Sequence, residues 1–293
     1  MKLIEVLMLS YNHAEFIERA IDSVAKQKSP KHNVMLSIID DGSTDGTVQK
    51  ILSKINSSGI KINLIQKKHG GITTISKNLQ ELIDKAEGDY LAFLSSDDEY
   101  LPNRFSEQSS YLDMDYVITY ANGINKLGVN KTKPLISSKE CEIYLSQDAT
   151  KVKDHLTSNV PTLYLQGTLM KRNFIQSFQA FDKLMIADDW VFNIRTFTHL
   201  AKTQEKFRFL DIPVFYRGIH SDNTSTNPSA HYQRVLQVAQ KYCGGGDDLM
   251  ANFCAFQTLS SFKRGQFLTG FWFLRRGLSS QGFFKKLISK IVS

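Results

Sequence analysis

Cysteine is scarce in this sequence: Cys141, Cys243 and Cys254 are the only three in 293 residues. An odd number, widely spaced and without a CxxC pair, excludes a disulfide framework and structural zinc, and it points to a reduced, cytosolic compartment. Proline is rare as well, at six residues, while apolar residues make up 42% and aromatics 11%. That composition excludes disordered and collagen-like chains. No apolar run approaches the roughly 20 residues that a membrane-spanning helix needs. The opening Met1-Lys2-Leu3-Ile4-Glu5 puts an acid at the fifth position and has no small-residue cleavage site, so no secretory leader is expected. The motifs GxGxxG, GxxxxGK[ST], HExxH and GxSxG are all missing. His69-Gly70-Gly71 reads as a turn.

Acids are also missing from one end. After Asp248 there is no Asp or Glu, yet Lys263, Arg264, Arg275, Arg276, Lys285, Lys286 and Lys290 follow. Residues 1–248 are formally neutral, so the net charge of +7 sits entirely in the last 45 residues. Short apolar runs such as Gly270-Phe271-Trp272-Phe273-Leu274 and Phe283-Phe284 interleave with the paired bases. This mixture suits helices lying on an anionic membrane surface, or a helix pair packed on the rest of the chain or on a second subunit. The tail has no nucleic-acid-binding module and the preceding region no basic stripe, which argues against a nucleic-acid partner.

Hydrophobic periodicity organises the remainder. Strands are predicted at 3–9, 34–39, 61–65, 90–94 and 115–119, with helices at 14–27, 45–56 and 72–86 between them. The alternation implies βαβ units and a mostly parallel sheet, whose ligands bind beyond the carboxyl ends of the strands. Two acidic pairs, Asp40-Asp41 and Asp97-Asp98, fall at that edge. Residues 122–160 have no steady period and read as irregular or short hairpin structure. A strand follows at 162–170, a short helix at 171–178, a helix opening at Ala187-Asp188-Asp189-Trp190, and a strand at 207–215. Gly244-Gly245-Gly246 marks a break.

Each acidic pair has two readings. Asp97-Asp98 is either a solvated turn or a divalent-cation site that bridges a diphosphate. Asp188-Asp189 either complements a helix dipole or supplies a general base. His220, taken alone, is a loop residue.

In order along the chain, Leu9-Ser10-Tyr11-Asn12-His13, Asp40-Asp41-Gly42-Ser43-Thr44-Asp45-Gly46-Thr47, Gly71 with Lys77-Asn78-Leu79, and Glu87 through Asp97-Asp98-Glu99 resemble glycosyltransferase family 2. The resemblance is dense over 1–105 and sparse over 162–225. It implies an α/β GT-A fold with a mostly parallel central sheet flanked by helices and a C-terminal helical extension. It also implies an inverting hexosyltransferase that uses Mn²⁺ or Mg²⁺ and moves a sugar from a UDP-sugar donor to a glycan or lipid-linked acceptor, in bacterial capsule, O-antigen or similar polysaccharide synthesis. By similarity Asp41 holds the uracil or ribose end beside Leu9 and Tyr11. Asp98 binds the metal, with Asp97 beside the sugar or ribose, and Lys77 stands where the family more often has Arg. Asp189 is the catalytic base, Asp188 stands where a Glu is common, and His220 reaches the metal or diphosphate. Ser95 replaces the first acid of the usual DxD. The expected layout is a catalytic domain over 1–225, with a nucleotide-sugar half (1–120) and an acceptor half (121–225), then a basic extension over 226–293. The protein is expected to be cytoplasmic and peripheral on the inner face of the membrane. A homo-oligomer, a sugar nucleotidyltransferase and a non-catalytic scaffold all stay open.

Overall fold

The computed structural model describes residues 1–27, 31–126, 132–186, 188–218 and 227–292. It forms two units, one of residues 1–150 with 162–219 and the other of residues 151–161 with 220–293. In chain order the elements begin with β1 (Lys2–Ser10), α1 (Ile17–Ala25), β2 (His32–Asp40), α2 (Thr47–Ser57), β3 (Lys61–Gln66), α3 (Ile75–Lys85) and β4 (Tyr90–Ser95). Then come β5 (Glu99–Tyr100), α4 (Arg104–Leu112), β6 (Tyr116–Lys126), β7 (Thr132–Pro134), α5 (Ser138–Leu145), α6 (Ala149–Ser158), β8 (Leu169–Lys171), α7 (Arg172–Gln176), α8 (Asp188–Thr203) and β9 (Lys206–Arg217). The last four helices are α9 (Pro228–Tyr242), α10 (Asp247–Lys263), α11 (Phe267–Gly277) and α12 (Phe283–Val292).

The first unit is built on one sheet of order β3-β2-β1-β4-β8-β6-β9-β5, with β7 paired to β6. Its first half, β3-β2-β1-β4, is wholly parallel. Its second half is mixed: β8 runs antiparallel to both β4 and β6, and β6 and β9 are parallel. β1 lies between β2 and β4, so Ile4, Val6, Leu7 and Met8 are buried together on both faces, as a central parallel strand requires. α1 closes one face by burying Ile17, Ala20, Ile21 and Val24 at helical spacing.

Two expectations need correction. The stretch 122–160 does hold a short hairpin, β6–β7, but it also holds α5 and α6. α5 escapes periodicity because its buried stripe is only Cys141 and Tyr144; the Ser137 hydroxyl, which accepts the Glu140 N–H, marks its start. The strand expected over 162–170 is confined to its end, and a 3-10 turn spans Leu165–Gly167. That turn is held from outside its own sequence. Arg104, fully buried, donates to the carbonyls of Gln166 at 2.6 Å and Thr168 at 2.7 Å and to Gln108 Oε1 at 3.1 Å. Its guanidinium lies 4.0 Å from the Tyr100 ring centroid. No local pattern encodes a turn fixed by a side chain some 60 positions away.

In the second unit, α10 packs against α9, α11 and α12. Lys286 pairs with Asp248 at 2.9 Å, and Phe253 meets Phe273 edge to face at 5.6 Å. Among the described residues, no helix is long and apolar enough to cross a membrane.

Replacing Arg104 tests the clamp. Arg104→Ala should lower stability by about 3 kcal/mol or more by stranding two buried carbonyls and opening a cavity. Arg104→Lys should fall between, since an ammonium cannot span both carbonyls; thermal melts of the three proteins check the order.

Candidate active site

The parallel register sets the site. Ser10 lies opposite Asp40 and Leu9 opposite both Ile39 and Ser95, so β1, β2 and β4 end at one edge. The loops that follow are stitched together. Asp41 N–H donates to the Ser10 carbonyl at 2.9 Å. Asn12, in a left-handed conformation that Asn tolerates, accepts the Thr44 N–H at 2.9 Å, and the Ser43 hydroxyl accepts the Asn12 N–H at 2.8 Å. His13 Nδ1 lies 2.6 Å from Ser96 Oγ, which ties the first loop to the third. Asp45 accepts the Ala14 N–H and bonds Thr47. Burial pushes its carboxyl up, but these bonds outweigh it and hold the group below its usual range.

The first acidic pair divides its labour. Asp40 is buried and consumed by the turn, accepting the N–H of Ser43 at 2.9 Å and its hydroxyl at 2.6 Å. Asp41 instead faces a polar cluster. Its Oδ1 accepts Asn78 Nδ2 at 3.1 Å, and its Oδ2 lies 2.9 Å from His69 Nδ1 and accepts the Gly70 N–H at 3.2 Å. The His69 ring stacks on Tyr11 with centroids 4.0 Å apart and 11° between planes. Lys67 steadies this cluster by donating to Asn78 Oδ1 at 2.9 Å and pairing with Glu81. Lys77, the neighbour of Asn78 on α3, is exposed.

At the end of β4, Asp97 is half-buried and Asp98 buried. Asp98 Oδ1 accepts the Gly218 N–H at 2.7 Å, and its Oδ2 accepts Gln166 Nε2, also at 2.7 Å. Gln166 Nε2 also reaches Ser95 Oγ at 2.7 Å. Gly218 is obligatory, because a Cβ there would sit 2.2 Å from the Asp97 carbonyl oxygen. Burial and the charge of Asp97 push the Asp98 carboxyl up to about 8, against the pull of Gly218, Gln166 and Arg217. A divalent cation would relieve this electrostatic strain, and adjacent carboxylates are the hard oxygen donors that Mg²⁺ or Mn²⁺ takes beside substrate phosphates. The donor set therefore fits such an ion. Among the described residues, no group of three His, Cys, Asp or Glu forms a complete protein cage.

The later acid lies on α8, the helix that precedes β9. α8 is anchored on β4 by Phe192, whose ring centroid is 5.8 Å from Phe93 and 5.1 Å from Phe181. Asp189 sits, half-buried, in the first turn of that helix. Tyr164 lies within electrostatic reach of both Asp189 and Asp98. Burial raises its hydroxyl, Arg217 lowers it, and the two carboxylates raise it further. Arg217 is also placed 5.4 Å from the Tyr164 ring centroid. Asp188 opens α8, but its side chain lies outside the described residues, as does His220.

His69, Asn78, Tyr164, Gln166, Arg217 and Gly218 escaped sequence reasoning as site residues. His69 carried a usable signal, since it follows β3 at the edge where the other strands end. Gln166 and Tyr164 had none, because they arrive through the turn that Arg104 holds.

The family described as Glycosyl transferase family 2 matches residues 5–178. That segment contains Leu9, Tyr11, Asp41, Lys77, Asp97 and Asp98 and stops before Asp188, Asp189 and His220. The chain is similar to poly(ribitol-phosphate) beta-N-acetylglucosaminyltransferase TarS of Staphylococcus aureus (strain MW2), at 23% identity over 247 residues covering 80% of this chain and 39% of the relative. It thus spans about two fifths of that relative's length. Among solved structures, S. aureus TarS 1-349 in complex with UDP-GlcNAc gives a TM-score of 0.59 at 18% identity, covering 98% of this chain and 76% of that one. Mannosyltransferase PcManGT from Pyrobaculum calidifontis in complex with GDP-Man and Mn²⁺ gives 0.57 at 15%, covering 80% and 62%. Both likenesses establish the GT-A fold.

The Asp98 environment has a readable pH signature. Its folded pKa lies above the unfolded value of 3.8, so the metal-free protein should lose stability as pH rises from about 4 to about 8. Asp98→Asn should flatten that slope. Asn can still accept the Gly218 N–H, and turning over the Gln166 amide brings its Oε1, buried without a partner, to accept the Asn N–H. Melting curves in chelator across this range check it.

Proposed function

The chain belongs to glycosyl transferase family 2, and on that premise we propose that it is an inverting hexosyltransferase. It carries a sugar from a UDP-sugar to a hydroxyl of a glycan or lipid-linked acceptor in bacterial surface-polysaccharide assembly. The observation that supports this reading is that the loops bearing Tyr11, Asp41 and Asp97-Asp98 leave one sheet edge, while Tyr164 feels the charge of both Asp98 and Asp189. The UDP-GlcNAc complex of TarS supports the donor class, and that relative's poly(ribitol-phosphate) acceptor supports a cell-wall polymer.

In this scheme Tyr11 and Asp41 hold the nucleobase end of the donor, with Leu9 and Ser10 supplying backbone at the β1 terminus. Asn78, oriented by Lys67, fixes the Asp41 carboxylate. Lys77, exposed on α3, offers a point charge to sugar or phosphate. Asp98 would hold Mn²⁺ or Mg²⁺, with His220 as a further ligand, and Asp97 would lie beside the sugar or ribose. That ion would neutralise the charge that develops on the leaving UDP. Asp189 removes the proton from the acceptor hydroxyl, with Asp188 beside it, as that oxygen attacks the anomeric carbon from the face opposite UDP. The C–O bond to UDP breaks as the new one forms, so a single displacement inverts the centre. Such an enzyme works on the inner face of the cytoplasmic membrane, with its basic C-terminal region against anionic lipid.

Titration calorimetry with UDP, GDP, CMP and TDP, each with and without Mn²⁺, should show metal-dependent binding of UDP alone; a folded protein that binds none of them refutes the donor assignment. Asp189→Asn should cut transfer by about 10²–10⁴-fold while leaving UDP affinity intact, and unchanged turnover would remove Asp189 as base. Asn78→Ala should weaken UDP binding about tenfold by freeing the Asp41 carboxylate.

A further inference from the structure

Helices α11 and α12 are apolar on two faces. The inner face is already a core: Phe273 and Phe283 are each 2% exposed, and α11 uses Gly277 to admit the Phe283 ring, which would lie 2.2 Å from a Cβ. The outer face is nevertheless apolar too. On α11 and its C-cap, Leu268 is 89%, Phe271 59% and Leu278 55% exposed. On α12, Phe284 is 60%, Ile288 59% and Ile291 64% exposed. Their spacings of three, four and seven residues place each set along a single stripe. Arg275 extends the first stripe, and Lys285 neighbours the second, both exposed. Exposed apolar stripes of this extent mark an interaction site, which implies an occupant.

Charge identifies it. Seven bases and no acid follow Asp248, so a second copy docked by the same face would set like charge against like. An anionic bilayer surface supplies both the negative charge and the shallow apolar layer that such stripes match. We propose that the stripes Leu268–Phe271–Leu278 and Phe284–Ile288–Ile291 insert into the headgroup boundary of an anionic membrane, with Arg275 and Lys285 on its phosphates. This deepens the membrane placement proposed above, rests on the second unit alone, and is independent of which donor the first unit binds.

Flotation of the full chain with vesicles tests it. The protein should float with phosphatidylglycerol-containing vesicles and not with pure phosphatidylcholine. Combining Arg275→Ala with Lys285→Ala should weaken binding about 25-fold, at about fivefold per base. Combining Leu268→Ser, Ile288→Ser and Ile291→Ser should weaken it about tenfold or more, with the melting temperature unchanged because these side chains already face water. Failure of the wild type to float, or equal flotation of the variants, overturns the proposal. So does a light-scattering dimer that the triple serine variant dissolves, which would make the occupant a second copy. Sugar transfer is not the readout, so the result does not depend on the catalytic assignment.

Discussion

The parallel pairing of β2, β1 and β4 is the constraint on which the rest depends. Because Ser10 is held opposite Asp40 and Leu9 opposite Ser95, the loops after these strands have a common edge and can exchange hydrogen bonds. A one-residue slip would swap the side chains that β1 presents to its two packed faces and put Tyr11 out of step with Asp41. Glu5 guards against it from inside the strand. Buried at 3% exposure, it accepts the Ser37 hydroxyl at 2.6 Å and the N–H groups of Glu87 and Gly88 at 2.7 and 2.8 Å. A carboxylate so enclosed tolerates only the register that satisfies it.

Stability and site geometry meet in a second place, the turn over Leu165–Gly167. Arg104 fixes its backbone from α4, and Gln166 on the same turn carries an amide to Asp98 and Ser95. The buried acid is thus positioned by a residue whose own conformation depends on a cation in the core. An Asp98 carboxyl poised near 8 records first the cost of burying it and then that of setting a second acid beside it. Sites that manage phosphate chemistry accept such a cost where a cation will offset it.

The second unit works on a different physical basis. Its helices bury aromatic rings inward and leave a second apolar stripe facing out among unopposed bases. Lys286 spends its charge on Asp248 to hold α12 against α10, while Lys285 stays exposed. One apolar face is packed within the fold and the other is exposed, a composition that a single core would not require.

Much of this was legible in the sequence. The βαβ rhythm over residues 1–95 follows from apolar periodicity, and placing Asp41 and Asp97-Asp98 at one edge needs only the rule that parallel strands end together. The charge polarity of the tail is a matter of composition. Tertiary structure alone decided which member of Asp40-Asp41 is consumed by its turn, because that depends on Ser43 and on an Asn78 delivered by α3. It also decided that His69 stacks on Tyr11, and that α5 forms on a two-residue apolar stripe. Gln166 reaches Asp98 only through a turn clamped by Arg104. Local pattern encodes strands and helices because their hydrogen bonds are near-neighbour. A side chain that acts across 60 or more residues leaves no periodic trace, and its partner appears only when the core closes around it.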